Sequence, residues 1–79
     1  MFYVYILRSI SYPHKTYTGY TKDLKQRLAD HNGGESIYSN KYKPWRLEIC
    51  IGFHEESKAI KFEKYLKSGS GRVFSKNHF

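Results

Sequence analysis

Three charged or titratable side chains fall where plain amphipathic helices would not put them. At the helical step of about 100° per residue, Arg27 and His31 lie on the same stripe as Leu24 and Leu28. In a later segment, Glu63 falls among Ala59, Phe62 and Leu66. A carboxylate on an apolar stripe is costly unless it pairs with a cation or binds a metal. Purely structural readings exist: a snorkelling Arg27, a hydrogen-bonded core His31, and a Glu63–Arg27 salt bridge that serves only the fold. The chemical reading joins the three to Tyr3, Tyr5 and Tyr17. A divalent cation on a carboxylate neutralises charge developing at a phosphate. An arginine holds the non-bridging oxygens, and a tyrosine or histidine takes a proton from attacking water. Together these are the parts of a phosphodiester-cleaving site.

The elements that must carry them can be traced along the chain. Residues 2–7 form a β-favouring run with Phe2, Val4 and Ile6 on one face and Tyr3, Tyr5 and Leu7 on the other. Ser9 to Lys15, with Pro13, reads as a loop. Thr16–Tyr20 returns as a second strand, in which Gly19 marks a close approach to the backbone. Thr21 as N-cap and Asp23 in the first turn predict a helix over Lys22–Asn32, stopped by Gly33-Gly34. Residues 35–44 read as a polar loop. Trp45–Phe53 alternates, which predicts a strand with Leu47, Ile49, Ile51 and Phe53 on the core face. A second helix is predicted over Glu55–Lys67, broken by Ser68-Gly69-Ser70-Gly71. The last eight residues are either one more helical turn or a tail. The order β-β-α-β-α predicts a single α+β domain over residues 1–79.

Composition narrows the partners. The chain has 79 residues, 14 Lys or Arg against 7 Asp or Glu, and a net charge of +7. A domain of this size buries only about 60–65% of its unfolded surface, so marginal stability is expected. The aromatic content of 18% is enough for a core and unlike a disordered tail. The lone cysteine, Cys50, excludes an internal disulfide and a multi-cysteine zinc site. No apolar run approaches the length of a membrane span, and the N-terminus lacks the basic region of a signal peptide. The expectation is a soluble, cytoplasmic protein without a membrane partner. The positive charge favours nucleic acid, and the tyrosines offer stacking surfaces.

Tyr3-Val4-Tyr5 and, eleven residues on, Tyr17-Thr18-Gly19 resemble the paired signature of the GIY-YIG nuclease domain. Arg27 falls ten residues after Tyr17, where that family carries an arginine, and His31 four residues later falls on its His or Tyr position. Glu63 falls on the family's glutamate. Lys43-Pro44-Trp45, Ala59–Glu63 and Leu66–Arg72 resemble its small stand-alone bacterial members, which are excinuclease-subunit-C-like or UPF0213-like. The resemblance covers essentially the whole chain. It implies a three-stranded antiparallel sheet flanked by helices and a metal-dependent DNA endonuclease using one Mg²⁺ or Mn²⁺ on Glu63. It further implies catalytic roles for Tyr5, Tyr17, Arg27, His31 and Glu63. Tyr17 would be a general base or position the water, and Tyr5 would line the same site. His31 would assist proton transfer or hydrogen-bond a tyrosine. Nucleic-acid contacts fall to Gly19, Lys22, Arg27 and Arg72. Tyr3 and Thr18 depart from the signature, and Ser75 stands where the family often has asparagine.

Two other readings compete with a nuclease: a nucleic-acid-binding module of the same fold without significant cleavage, and an interaction domain whose charge serves solubility. A pure binder has no use for a carboxylate beside a phosphate site. With no separate targeting domain, weak or structure-based selectivity, or a protein partner, is expected. Cys50 with His54 falls far short of a zinc pattern. His14 and His78 read as solvated. Ser68–Gly71 reads as a phosphate cradle or a helix-ending turn, and Arg72 with Lys76 as a phosphate track or surface charge.

Overall fold

The apolar N-terminal run becomes the central strand. The computed structural model describes residues 1–79 and contains β1 (Phe2–Ser9), β2 (Thr16–Thr21), α1 (Leu24–Asn32), α2 (Ile37–Tyr42), β3 (Trp45–Phe53), α3 (Glu56–Lys67) and α4 (Gly69–His78). The sheet is antiparallel in the order β2-β1-β3. A central strand between two partners must be apolar on both faces, and Val4, Tyr5, Ile6 and Leu7 are all buried. Val4 and Ile6 pack with Ala59 and Leu66 of α3, joined by Phe62 and by Phe74 of α4. Tyr5, Leu7 and Trp45 pack on the opposite side with Leu24 and Leu28 of α1 and Tyr42 of α2. This is the α+β architecture expected, with helices on both faces. No helix is long and apolar enough to cross a membrane.

Four local expectations are corrected. The clean alternation of β3 is broken by a bulge: Ile6 pairs with Ile49 but Leu7 with Leu47, leaving Glu48 as the extra residue. The one-residue slip moves Leu47 off the face of Ile49, Ile51 and Phe53, and Leu47 is 38% exposed. Trp45 takes the core position instead, its indole N–H donating to the Ser39 carbonyl at 3.0 Å. The cap of α1 is Asp23, whose carboxylate accepts from the Gln26 N–H, and Thr21 turns the chain into it by accepting from the Asp23 N–H. The helix therefore starts at Leu24, not Lys22.

The expected polar loop contains α2. Ser36 caps it, and a reciprocal pair of bonds with Ser39 completes a capping box. The final segment is a full helix. Ser68 accepts from the Gly71 N–H, so Ser68–Gly71 acts as the turn that ends α3 and starts α4. Gly71 is buried where a Cβ would collide with the Tyr65 carbonyl, which lets α4 fold tightly back onto α3.

Candidate active site and nucleic-acid interface

The site is built where β1 and β2 pass beneath α1. Tyr5 projects from the central strand across the top of Gly19, its register partner on β2. A Cβ at Gly19 would lie 2.6 Å from Tyr5 Cζ. The close approach that this glycine permits is thus made by the Tyr5 ring, not by a ligand. In the last turn of α1, His31 reaches down to the same ring, with Nε2 3.2 Å from Tyr5 Oη. Tyr17, two residues before Gly19, places its ring 4.4 Å from that of His31 and stacks on Tyr5 at 6.3 Å. Trp45 closes the far side of His31 edge-on.

Burial and charge set the states of these groups. Burial raises the Tyr5 pKa above the ordinary value of 10.0, and the Arg27 guanidinium opposes that rise. Tyr5 is accordingly a phenol at neutral pH. His31 is pushed below its ordinary 6.5, first by burial and then by the Arg27 charge. Its ring is neutral at pH 7, and its Nδ1 is buried with no hydrogen-bond partner in the protein. Arg27 is raised further above its already high value, mainly by the Tyr5 hydroxyl.

Arg27 is not free. One guanidinium nitrogen donates to both carboxylate oxygens of Glu35 at 3.1 Å, and Asp30 stands at 3.6 Å. Glu63 approaches from α3, on the other face of the sheet. Its charge is the weakest of the influences on the Tyr5 phenol. Its carboxylate is 21% exposed and pairs with Lys67 at 3.5 Å. The Glu63–Arg27 salt bridge considered above therefore does not form, since each residue has another partner.

The structure thus brings Tyr17 and His31 against the Tyr5 phenol with the Arg27 guanidinium beside it, while Glu63 lies on α3 with Lys67 as its partner. It does not bring Lys22 to them. The Lys22 ammonium lies over the Phe2 ring at 5.4 Å, in a dip shared with Tyr3 and Leu47. Arg72 lines a separate groove of about 780 Å³, which Tyr17 and Lys67 border. Cys50 is half-buried and unpaired, its thiol pKa raised by burial, while His54 is exposed; they form no site. Glu35, Asp30 and Trp45 escaped the sequence reading. Glu35 follows a Gly-Gly stop in an exposed segment, and no periodicity could have flagged it.

The chain carries no group of three or more His, Cys, Asp or Glu side chains able to hold a metal. A Mg²⁺ ion, however, keeps most of its waters and takes one or two carboxylates plus substrate phosphate. The Glu63 carboxylate, 21% exposed, has the chemistry for that mode.

Residues 1–77 match the model of the GIY-YIG catalytic domain. The chain belongs to the GIY-YIG family, a nuclease-associated domain family. It is similar to the structure-specific endonuclease subunit SLX1 of Candida dubliniensis, at 40% identity over 71 residues, covering 81% of this chain and 25% of that protein. The corresponding subunit of Malassezia globosa is 38% identical over 63 residues, covering 75% of this chain and 14% of that protein. A UPF0213 protein of Streptococcus pyogenes serotype M3 is 44% identical over 54 residues, 67% of this chain and 52% of that one. The chain therefore spans a quarter or less of the fungal relatives and about half of the streptococcal one. The solution NMR structure of the UPF0213 protein BH0048 from Bacillus halodurans superposes with a TM-score of 0.57 at 32% identity, over 96% of this chain and 81% of that one.

Proposed function

We propose that the chain is a metal-dependent endonuclease that hydrolyses DNA phosphodiester bonds with weak or structure-based selectivity. The observation that carries this reading is the packing of Tyr5, Tyr17 and a neutral His31 from β1, β2 and α1 with the Arg27 guanidinium beside the Tyr5 phenol. Arg27 would hold the non-bridging oxygens of the phosphate, exchanging part of its contact with Glu35 for the substrate. Tyr5, kept protonated by burial, would act as a hydrogen-bond donor and not as the base. That leaves Tyr17 to position or deprotonate the water, with neutral His31 fixing the phenol pair. Glu63 would hold Mg²⁺ or Mn²⁺, which when bound supplies positive charge at the phosphate.

One observation favours the second reading, a binding module of the same fold without significant cleavage. The two charges that catalysis would use, Arg27 and Glu63, are each already paired within the protein. The discriminating experiment is nicking of supercoiled plasmid, with labelled single-stranded and branched DNA alongside, in Mg²⁺, Mn²⁺ and EDTA. Metal-dependent nicks are expected. Salt-sensitive DNA binding without cleavage of any substrate would establish the binding module instead. Targeting to a particular DNA structure by a protein partner, and action in DNA repair in the cytoplasm, are part of the same proposal.

A further inference from the structure

Helix α2 is inside out. Its buried residue is Ser39, whose carbonyl takes the Trp45 indole N–H. Its most exposed residue is Ile37, at 90%. A packing helix buries its aliphatic side chain and shows its serine. One exposed isoleucine would mean little, but this one has company. Tyr38 follows it, and the β1–β2 loop adds Ile10 and Tyr12, at 54% and 47% exposure. The Tyr42 ring joins the two segments, edge-on to Tyr12 at 5.3 Å and to Tyr38 at 5.0 Å. Side chains of this kind in a contiguous patch mark an interaction surface.

The patch is held in shape. The Ser9 hydroxyl donates to the Tyr42 carbonyl at 2.6 Å, and the Ile10 N–H to the Pro44 carbonyl at 2.9 Å. The Tyr38 hydroxyl donates to the Thr16 carbonyl at 2.7 Å. The loop is thus fastened to α2 at both of its ends, and covering the patch costs little ordering.

Its charge has one sign. The Lys15 and Lys41 ammonium groups lie over the Tyr42 ring at 5.3 and 5.4 Å, and Lys43 follows that residue in the chain. None of the three forms an ion pair. Neither Ser9–Lys22 nor Ser36–Leu47 contains an Asp or Glu. The carboxylates that bound the second stretch are taken, Glu35 by Arg27 and Glu48 by Arg8 and Arg46.

We propose that this surface docks an acidic polypeptide segment bearing large apolar side chains. The segment's carboxylates meet Lys15, Lys41 and Lys43, and its apolar side chains cover Ile37 and Ile10. Charge complementarity selects this occupant. A second copy of the chain would bring the same three cations face to face. Nucleic acid would want open ring faces, whereas the most exposed members are aliphatic and the Tyr42 ring already carries ammonium groups. Three lysines fall short of the roughly four to eight that recruit a chain to anionic lipid. The Tyr38 ring lies 6.3 Å from that of Tyr17, so a docked segment sits beside the Tyr5–Tyr17 cluster. The proposal gives the targeting partner of the nuclease its chemistry and in that rests on the nuclease reading; the contact itself does not.

The test is fluorescence anisotropy of the full chain with a short labelled peptide of Asp, Glu, Leu and Phe. Two control peptides replace its acids by Asn and Gln, or its Leu and Phe by Ser. The parent peptide should bind in the micromolar range, and each control at least about tenfold more weakly. Ile37→Ser, at a position that packs on nothing, should weaken the parent about tenfold while DNA nicking stays at the wild-type level. Lys41→Gln/Lys43→Gln should remove most of the salt dependence. Circular dichroism verifies that both variants keep their helix content. No binding of the parent at millimolar concentration would overturn the proposal, as would parent binding that both variants leave unchanged. Loss of affinity in Ile37→Ser for single-stranded DNA, or for phosphatidylserine vesicles, would reassign the patch and overturn it too. Failure of the nuclease reading would look different: peptide binding that depends on Ile37 in a chain that nicks nothing supports the surface and rejects the nuclease.

Discussion

Glu35 competes for the guanidinium that the site offers to phosphate. Both of its oxygens accept from Arg27, yet its side chain is half exposed, so the pair is worth no more than about 1 kcal/mol. Glu35→Gln should therefore tighten DNA binding by up to about fivefold at low salt, an effect that vanishes as salt screens the site. Titrations at two ionic strengths check it, and weaker binding in the variant would mean that Glu35 positions Arg27 for the phosphate. His31 makes a pH prediction. Its folded pKa lies below the ordinary 6.5, so the unfolded chain takes up the proton first as pH falls. The contribution is whole above about pH 6.5 and is lost as pH drops toward the folded value. Thermal melts should show a steeper loss between about pH 6.5 and 5 in the wild type than in His31→Gln, and parallel profiles would refute it. Arg27, His31 and Glu63 were legible in the sequence because polar residues on an apolar stripe contradict helical periodicity. Their partners were not: Glu35 and Lys67 lie on exposed ground where charge is ordinary.

The elements that position the site depend on two unusual joins. The turn from α3 to α4 works because Gly71 presses against the Tyr65 carbonyl. Gly71→Ala should cost about 1–3 kcal/mol by overpacking. Gly69→Ala, where an added Cβ meets nothing within 4 Å, should be neutral or slightly stabilising. Urea unfolding of the pair checks this, and equal stabilities would mean that α4 does not pack as described. The second join is the bulge at Glu48, which puts Trp45 under His31 and swings Leu47 to the surface. Sequence alternation ran unbroken through Trp45–Phe53, so nothing in the pattern announced the slip. Pairing with β1 imposes it. α2 was likewise hidden. Its six residues carry no apolar stripe, and its signal is a Ser–Ser capping box, not the commoner Ser–Glu form. Strands β1 and β2 and helices α1 and α3 were legible because their patterns were set by burial against the sheet.

For the molecule as a whole, the sheet presents the Tyr5 phenol to α1 on one face and packs α3, which carries Glu63, against the other. α1 delivers His31 and Arg27 to that phenol, and Gly19 leaves room for its ring. The charge of +7 then supplies the approach to a polyanion. The central claim is that this meeting point cleaves DNA and does not merely bind it. The most direct test is the single-turnover cleavage rate of wild type, Arg27→Ala and Glu63→Gln on one DNA, with affinity measured in parallel. The account predicts a loss of about 10²–10³ in rate for Arg27→Ala and no detectable cleavage for Glu63→Gln, both folded and the latter binding DNA at least as tightly as wild type. Cleavage by Glu63→Gln at the wild-type rate would contradict it.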